Sequence, residues 1–255
     1  MKNVAYYNGK MGLQEELTIP FLDRAMFFGD GVYDATYSAN RKIFEKDWHL
    51  ERFYNSLKAV KIPFKLTKEE LLAELQKCID AMDSDGICFV YWEVTRGTAP
   101  RNHLFPNVEP NLIINITESK LTDLRTPCKL ITEEDTRFFH CNIKTLNLLP
   151  SVLGSQKAFE AGAKEVVFHR GERVTECAHT NVNIIKDGEI VEKKELSLPE
   201  TIENVIKCKN PRCITSIEQE LKHVFILTDR EKKIYRCKYC EEKYGERTKE
   251  RKKTK

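Results

Sequence analysis

The sequence predicts an α+β fold that passes, near residue 190, into a small β module carrying four grouped cysteines. Three observations support this. Helical periodicity runs through two stretches within residues 42–82, and runs rich in β-branched and aromatic residues follow at 87–95 and 111–117. From Glu192 onward the chain changes character, into a Lys/Glu-rich link and then two close cysteine pairs.

In the first stretch, the short apolar segment Ile43-Phe44 leads into a helix on which Leu50, Phe53, Tyr54, Leu57 and Val60 share a face, with Asp47 placed as its N-cap. The second helix starts at Thr67, whose hydroxyl and the side chain of Glu70 form a capping box. Leu71, Leu72, Leu75, Ile79 and Met82 line one side, and Asp83 to Gly86 end it. The runs ICFVYWEVT (87–95) and NLIINIT (111–117), bounded by Gly, Pro and Asn, read as buried strands. A further helix is predicted from about Pro150 to Ala161, closed by Gly162, and strand signals recur over 165–186 around a turn at His169 to Arg173. Asp187-Gly188 between NVNIIK and EIVEK is a type I′ hairpin signal.

The chain has 255 residues, a length that favours two or three compact units. Hydrophobic residues make up 41% and charged residues 32%, with a formal charge of +3, so composition excludes a disordered chain and supplies no bulk field for nucleic acid. Met1-Lys2-Asn3-Val4 lacks the layout of a signal peptide, and no apolar run approaches the roughly 18 residues that span a bilayer, so a cytoplasmic protein without membrane contact is expected. The segment 246–255 mixes glutamate with Lys and Arg and reads as a solvated, disordered tail rather than a nucleic-acid patch.

Nine cysteines is an odd number, and their spacing decides their role. Four residues separate Cys208 from Cys213, two separate Cys237 from Cys240, and 23 lie between the pairs. Two such knuckles supply the four thiolates of a closed, structural Zn²⁺ site, which a short segment needs in place of a large core. Two disulfides are the competing reading, disfavoured in a reducing compartment. Cys78 and Cys88 are placed as buried packing residues, and Cys128, Cys141 and Cys177 carry no assignment. Together, LPETIENVIKCKNPRCITSIEQELKHVFIL and IYRCKYCEEKY resemble the C-terminal zinc domain of the aspartate carbamoyltransferase regulatory chain, over about 181–245. That resemblance implies a partner, the carbamoyltransferase catalytic chain, on which the zinc domain docks in pyrimidine biosynthesis. The family's separate nucleotide-binding domain is not recognisable.

A second resemblance covers residues 3 to 190. Phe28-Gly29-Asp30-Gly31-Val32-Tyr33, His49-Leu50-Glu51-Arg52, Thr95-Arg96-Gly97, Asn142-Ile143-Lys144-Thr145-Leu146-Asn147, and Val174-Thr175-Glu176 followed by Thr180-Asn181-Val182 resemble the fold-type IV, or class IV, aminotransferases. These are two-domain enzymes that use pyridoxal 5′-phosphate. The resemblance implies Lys144 as the catalytic lysine that bonds the cofactor aldehyde, Glu176 as partner of the ring nitrogen, Arg52 as the phosphate arginine, and Thr180 as a further cofactor contact. Within TRGTAPRNHLF (95–105), Arg101 and His103, together with Tyr33, resemble the substrate-carboxylate trap of D-amino-acid aminotransferases. The implied substrates are a D-amino acid such as D-alanine and a 2-oxo acid such as 2-oxoglutarate, and a homodimer is implied by the same resemblance.

The resulting division is an aminotransferase N-terminal α+β domain over 1–120, a partial C-terminal domain over 121–190, a zinc-binding domain over 191–245, and the tail 246–255. Two departures bear on activity. In the turn Glu176-Cys177-Ala178-His179-Thr180, D-specific enzymes commonly place glycine and serines. Past the Asp187-Gly188 hairpin, family members also continue into a helix N-terminus that holds the cofactor phosphate, whereas here VEKKELSLPETIENVIKC follows. An incomplete second domain, exposed core and weak cofactor binding are therefore expected, which argues against full transaminase activity. A zinc-binding interaction protein, and a chimeric frame without evolved function, stand as alternatives.

Overall fold

The computed structural model describes residues 1–123, 125–187, 189–190, 200–204, 206–218, 220–230 and 234–244; the link at 191–199, Gly188 of the expected hairpin turn and the tail 246–255 lie outside the described residues. The chain divides into two compact units, Met1–Val182 and Asn183–Lys255.

The first unit opens with β1 (Asn3–Tyr7) and β2 (Lys10–Gly12), a hairpin turning through Asn8 and Gly9, and a one-turn helix α1 (Arg24–Phe28). Next come β3 (Gly31–Ala39), β4 (Lys42–Ile43), α2 (Lys46–Ala59), α3 (Lys68–Asp80), β5 (Cys88–Thr95) and β6 (Asn111–Glu118). The strands form one antiparallel sheet in the order β2-β1-β6-β5-β3-β4.

One sheet face is packed by the two helices. Val4, Val32, Val90, Trp92, Val94, Ile114 and Ile116 meet Leu50, Phe53 and Leu57 of α2 and Leu71, Leu75 and Ile79 of α3 in a single buried cluster. The capping box of α3 forms as the sequence predicts: Glu70 N donates to Thr67 Oγ1 at 3.2 Å and Thr67 N to Glu70 Oε2 at 2.7 Å. The start of α2 differs from expectation. Glu45, at φ 46°, holds the N-cap position without a side-chain bond, and Asp47 falls inside the first turn, where its carboxylate still faces the positive end of the helix.

The same unit continues through β7 (Leu130–Glu134), α4 (Leu149–Glu160), β8 (Glu165–Arg170) and β9 (Arg173–Cys177). Here β7 runs parallel to β8 and β9 antiparallel, in the order β7-β8-β9. Ala158 of α4 packs on Val166 and Phe168, while Val152, Leu153 and Phe159 face outward with 59%, 55% and 77% of their surface exposed.

The second unit holds the hairpin of β10 (Ile185–Lys186) and β11 (Glu189–Ile190), then β12 (Thr201–Glu203), a short helix α5 (Ile214–Ile217), β13 (Val224–Asp229), β14 (Ile234–Cys237) and β15 (Lys243–Tyr244). The last four strands form an antiparallel sheet in sequence order. Among the described residues no helix is long and apolar enough to cross a membrane.

Gly31 marks where the segment carrying Leu146 crosses β3. A Cβ added there would lie 2.7 Å from Leu146 Cδ1 and 2.8 Å from the Val94 carbonyl oxygen, the second being backbone that cannot swing aside. Gly31→Ala should therefore destabilise the first unit by about 1–3 kcal/mol. Urea unfolding followed by tryptophan fluorescence reads this unit alone, since Trp48 and Trp92 both lie in it; an unchanged midpoint would show that the turn has room.

Candidate active site and candidate metal centre

Lys144 lies on a short segment laid along the edge of β3. Tyr33 N donates to Lys144 O at 2.9 Å, Leu146 N to Gly31 O at 3.2 Å, and Lys144 N to Ser56 Oγ on α2 at 3.2 Å. Backbone bonds on both sides thus fix the lysine relative to sheet and helix. Its Nζ donates to the Tyr33 hydroxyl at 3.2 Å and sits 4.3 Å from the centre of that ring, which in turn stacks on Tyr91 at 5.4 Å.

Arg52 projects from α2 onto a carboxylate buried beneath it. Its Nε donates to Asp34 Oδ2 at 2.8 Å and its Nη2 to Asp34 Oδ1 at 2.7 Å, and His49 Nδ1 lies 2.8 Å from the same Oδ1. Burial works against ionisation of Asp34, yet the hydrogen bonds from Arg52 and His49 hold its carboxyl below the usual range. The bond to Asp34 likewise raises the Arg52 guanidinium against the cost of burial, with Tyr33 and Glu176 close enough to add to the effect. Arg52 Nη1 makes no hydrogen bond among the described residues, and the side chain lines an open groove of about 320 Å³ with Phe44, Glu45, Trp48 and His49.

Glu176 is on β9 and half-exposed. Its Oε2 accepts from Arg137 Nη1 at 2.9 Å, while Oε1 is without a hydrogen bond among the described residues. Arg137 is itself held by Asp135, Nε to Oδ1 at 2.9 Å and Nη2 to Oδ2 at 3.0 Å, and Thr175 Oγ1 donates to Asp135 at 2.8 Å. Thr180 Oγ1 donates to Glu165 Oε2 at 3.0 Å, so its hydrogen is committed inside the protein.

Arg101 and His103 gather around Phe28. Both are exposed, the Arg101 guanidinium 5.2 Å from the Phe28 ring centre and the His103 ring also 5.2 Å from it. Among the described residues neither forms a hydrogen bond with Lys144 or Tyr33. The fold therefore joins Lys144 to Tyr33 directly, brings Arg52 and Glu176 within electrostatic reach of each other, sets Thr180 over Glu165, and lines one groove with His103, Phe28, Thr145 and Asn147. Sequence reading passed over Asp34, Ser56, Asp135 and Arg137 and gave His49 no role within its motif, although these residues hold Arg52, Lys144 and Glu176.

Residues 31–192 match the family described as amino-transferase class IV. The chain belongs to this family. It is 39% identical over 187 residues to a D-alanine aminotransferase of Listeria monocytogenes serotype 4b (strain F2365), across 71% of this chain and 64% of that protein. It is 38% identical over 192 residues to a D-alanine aminotransferase of Staphylococcus haemolyticus, across 72% and 67%. The chain thus spans 64% of the length of the Listeria relative it matches. Among solved structures, the fold is similar to a branched-chain aminotransferase from the thermophilic archaeon Thermoproteus uzoniensis with norvaline, at TM-score 0.65 and 18% identity, covering 73% of this chain and 66% of that one. The branched-chain amino acid aminotransferase from Escherichia coli is also similar, at TM-score 0.63 and 18% identity, covering 74% and 66%. Residues 200–250 match the metal binding domain of the aspartate carbamoyltransferase regulatory chain.

Class IV aminotransferases use pyridoxal phosphate, and the donor set in this class IV chain fits that group. An amine whose one side-chain partner is a phenol, a carboxylate with one oxygen open, and a guanidinium with one N–H edge open supply the three contacts that an aldehyde, a ring nitrogen and a phosphate require.

In the second unit the ligand atoms of Cys208, Cys213, Cys237 and Cys240 lie within 4.8 Å of one another. The Cys208–Cys240 and Cys213–Cys237 sulfurs are 3.4 and 3.7 Å apart. A bonded disulfide needs about 2.05 Å, whereas a tetrahedron of Zn–S bonds of about 2.3 Å has edges of about 3.8 Å. The four free thiols therefore have zinc geometry rather than disulfide geometry. Burial opposes ionisation of Cys213, but the Thr215 hydroxyl, 3.2 Å away, helps draw it down to about 7. Phe225 and Tyr235 pack directly on the cluster, which serves as most of this unit's core.

Asp135, although burial works against it, is drawn down to about 2 by its bonds to Arg137 and Thr175. A carboxyl lowered on folding contributes stability that is present above the unfolded value, about 3.9, and lost as pH falls through the folded one. The β7-β8-β9 sheet should therefore weaken between about pH 4 and pH 2, and a carbon-13 NMR titration placing Asp135 near pH 4 would refute this. Separately, a zinc chelator at neutral pH should remove about one metal ion per chain and collapse the amide dispersion of β13 and β14. An NMR spectrum that survives complete metal removal would exclude a structural role.

Proposed function

We propose that this class IV aminotransferase is a transaminase moving an amino group between a D-amino acid such as D-alanine and a 2-oxo acid such as 2-oxoglutarate. The contact of Lys144 Nζ with the Tyr33 hydroxyl, with Arg52 and Glu176 nearby, is the observation that carries the reading. The D-specific assignment is supported by the relatives' names and by the Arg101–His103 pair.

When bound, pyridoxal phosphate supplies an electron sink for negative charge at the substrate Cα. Lys144 Nζ is the base that takes the Cα proton and returns it, with the Tyr33 hydroxyl holding the amine in place. Glu176 keeps the ring nitrogen protonated, and Arg137 fixes the direction of that carboxylate. Arg52, clamped by Asp34, presents its open edge to the phosphate, and Thr180 could add a contact there only by turning its hydroxyl away from Glu165. Arg101 and His103, with Tyr33, receive the substrate carboxylate. A homodimer belongs to the same reading. The domain division at about 120 and 190 follows the same reading. All nine cysteines are free thiols, which favours the cytoplasm.

A second role is supported by the match of residues 200–250: the zinc unit docks on an aspartate carbamoyltransferase catalytic chain. Co-purification of the zinc-loaded chain with a catalytic trimer is the expected result, and a metal-loaded protein that ignores the trimer rules it out.

For the enzyme, incubation with pyridoxal phosphate should turn the purified protein yellow, and Lys144→Ala should abolish the colour and all turnover. D-alanine should be consumed with 2-oxoglutarate at least about a hundredfold faster than L-alanine. Equal colour in the wild type and Lys144→Ala would sink the reading.

A further inference from the structure

The loop over 97–105 carries Arg101 and His103, yet its only ladder contact among the described residues is one bridge between Thr98 and Asp23. Its start is tied by Arg24 N to Gly97 O, Ala99 N to Leu22 O and Asn111 Nδ2 to Thr98 Oγ1, and beyond that point an ion triad centred on Asp30 reaches its middle. Oδ2 of Asp30 accepts from Arg24 Nε at 2.8 Å, and its two oxygens accept from Arg96 Nε at 3.0 and 2.9 Å. The guanidiniums are 3% and 5% exposed, so one carboxylate neutralises two buried cations.

The far ends of both arginines reach backbone. Arg24 Nη1 donates at 2.6 Å to the carbonyl of Asn102, the residue between Arg101 and His103. Arg96 donates from Nη1 to Lys61 O at 3.0 Å and from Nη2 to Val60 O at 2.8 Å, at the end of the helix that bears Arg52. It also lies 3.7 Å over the Phe105 ring, just past His103. At the loop's start Gly97 has φ +110°, and a Cβ there would fall 2.3 Å from Glu109 O, so the first turn is fixed as well.

We propose that Asp30 is the positioning residue of the carboxylate-recognition loop: by neutralising Arg24 and Arg96 together it holds the Asn102 carbonyl, and so sets the direction of Arg101 and His103. The inference rests on the transaminase reading of that pair. Without the carboxylate, two buried guanidiniums face each other unpaired, and the cheaper outcome is for Arg24 to turn out to water and release the loop.

The test uses the full zinc-loaded and cofactor-loaded chain, with Asp30→Asn, Arg24→Lys and Arg101→Ala. Arg24→Lys keeps the charge but removes the second N–H that reaches Asn102, so it reports on the loop even if Asp30→Asn folds poorly. Tryptic cleavage after Arg101, followed by mass spectrometry, should accelerate about tenfold or more in Arg24→Lys and in Asp30→Asn, with amide exchange of β5 and β6 unchanged. The KM for D-alanine should rise about tenfold in both while kcat stays within about twofold, as it should for Arg101→Ala. Cleavage unchanged in Arg24→Lys, or rising only in step with exchange of the core strands, overturns the proposal. A KM raised by Arg101→Ala and not by Arg24→Lys overturns the positioning role alone. A KM indifferent to Arg101→Ala overturns the carboxylate reading on which it stands.

Discussion

The first unit depends on a carboxylate where a sheet would ordinarily bury a methyl group. Asp34 sits on the packed face of β3, fully enclosed, and takes hydrogen bonds from both Arg52 and His49 of α2. An enclosed charge of this kind tolerates little displacement, because loss of either partner leaves it unpaired in a poor solvent. It therefore fixes the rotation of α2 as no apolar contact could. That same helix supplies Ser56 to the Lys144 backbone and carries Arg52, so one ionic contact sets the relation between these two side chains and Lys144.

The same contact explains which parts of the fold could be read from the sequence. The helices α2 and α3 and the strands β5 and β6 were legible because their buried positions are largely apolar at the right period: Leu71, Leu75 and Ile79 on a helix, Val90, Trp92 and Val94 on a strand; α4, whose buried residues are Ser151, Gly154 and Ala158, was legible from Pro150 and Gly162 at its ends. The strand β3 was not. Its inward residues after Val32 are Asp34, Thr36 and Ser38, all buried, so the alternation is polar where the core should be. Asn8-Gly9 between β1 and β2 is a hairpin signal that could have placed that pair of strands in advance. For the site, motif likeness singled out Lys144, Arg52 and Glu176 and gave no role to the residues that hold them in place. Asp34, Asp135 and Ser56 have no chemistry of their own to betray them; their roles arise only when distant segments are brought together.

The two units are stabilised by different means. The first has a core of nineteen buried residues between sheet and helices, large enough to carry buried charges as well. Among the described residues the second gathers Cys208, Cys213, Phe225, Tyr235 and Cys237 in its buried cluster, three of the five being thiols. A segment that small buries too little apolar surface to offset its conformational entropy, so four metal–sulfur bonds supply the difference. This is why the cysteine spacing was the most informative feature of that part of the sequence: the fold needs the ligands before it needs anything else.

Across the first unit the arginines of the site share one arrangement. Arg52 binds Asp34 through Nε and Nη2 and leaves Nη1 open; Arg137 binds Asp135 through Nε and Nη2 and extends Nη1 to Glu176; Arg24 binds Asp30 through Nε and extends Nη1 to the Asn102 carbonyl. A planar guanidinium gripped along one edge by a buried carboxylate loses its rotational freedom, so the remaining N–H points in a fixed direction. Lysine could supply the charge but not the direction. The aspartates therefore contribute aim rather than net attraction, which fits a site whose groups come from separate strands, helices and loops. The buried carboxylates thus orient the arginines, while Lys144 is placed by backbone bonds to β3 and by the Ser56 hydroxyl.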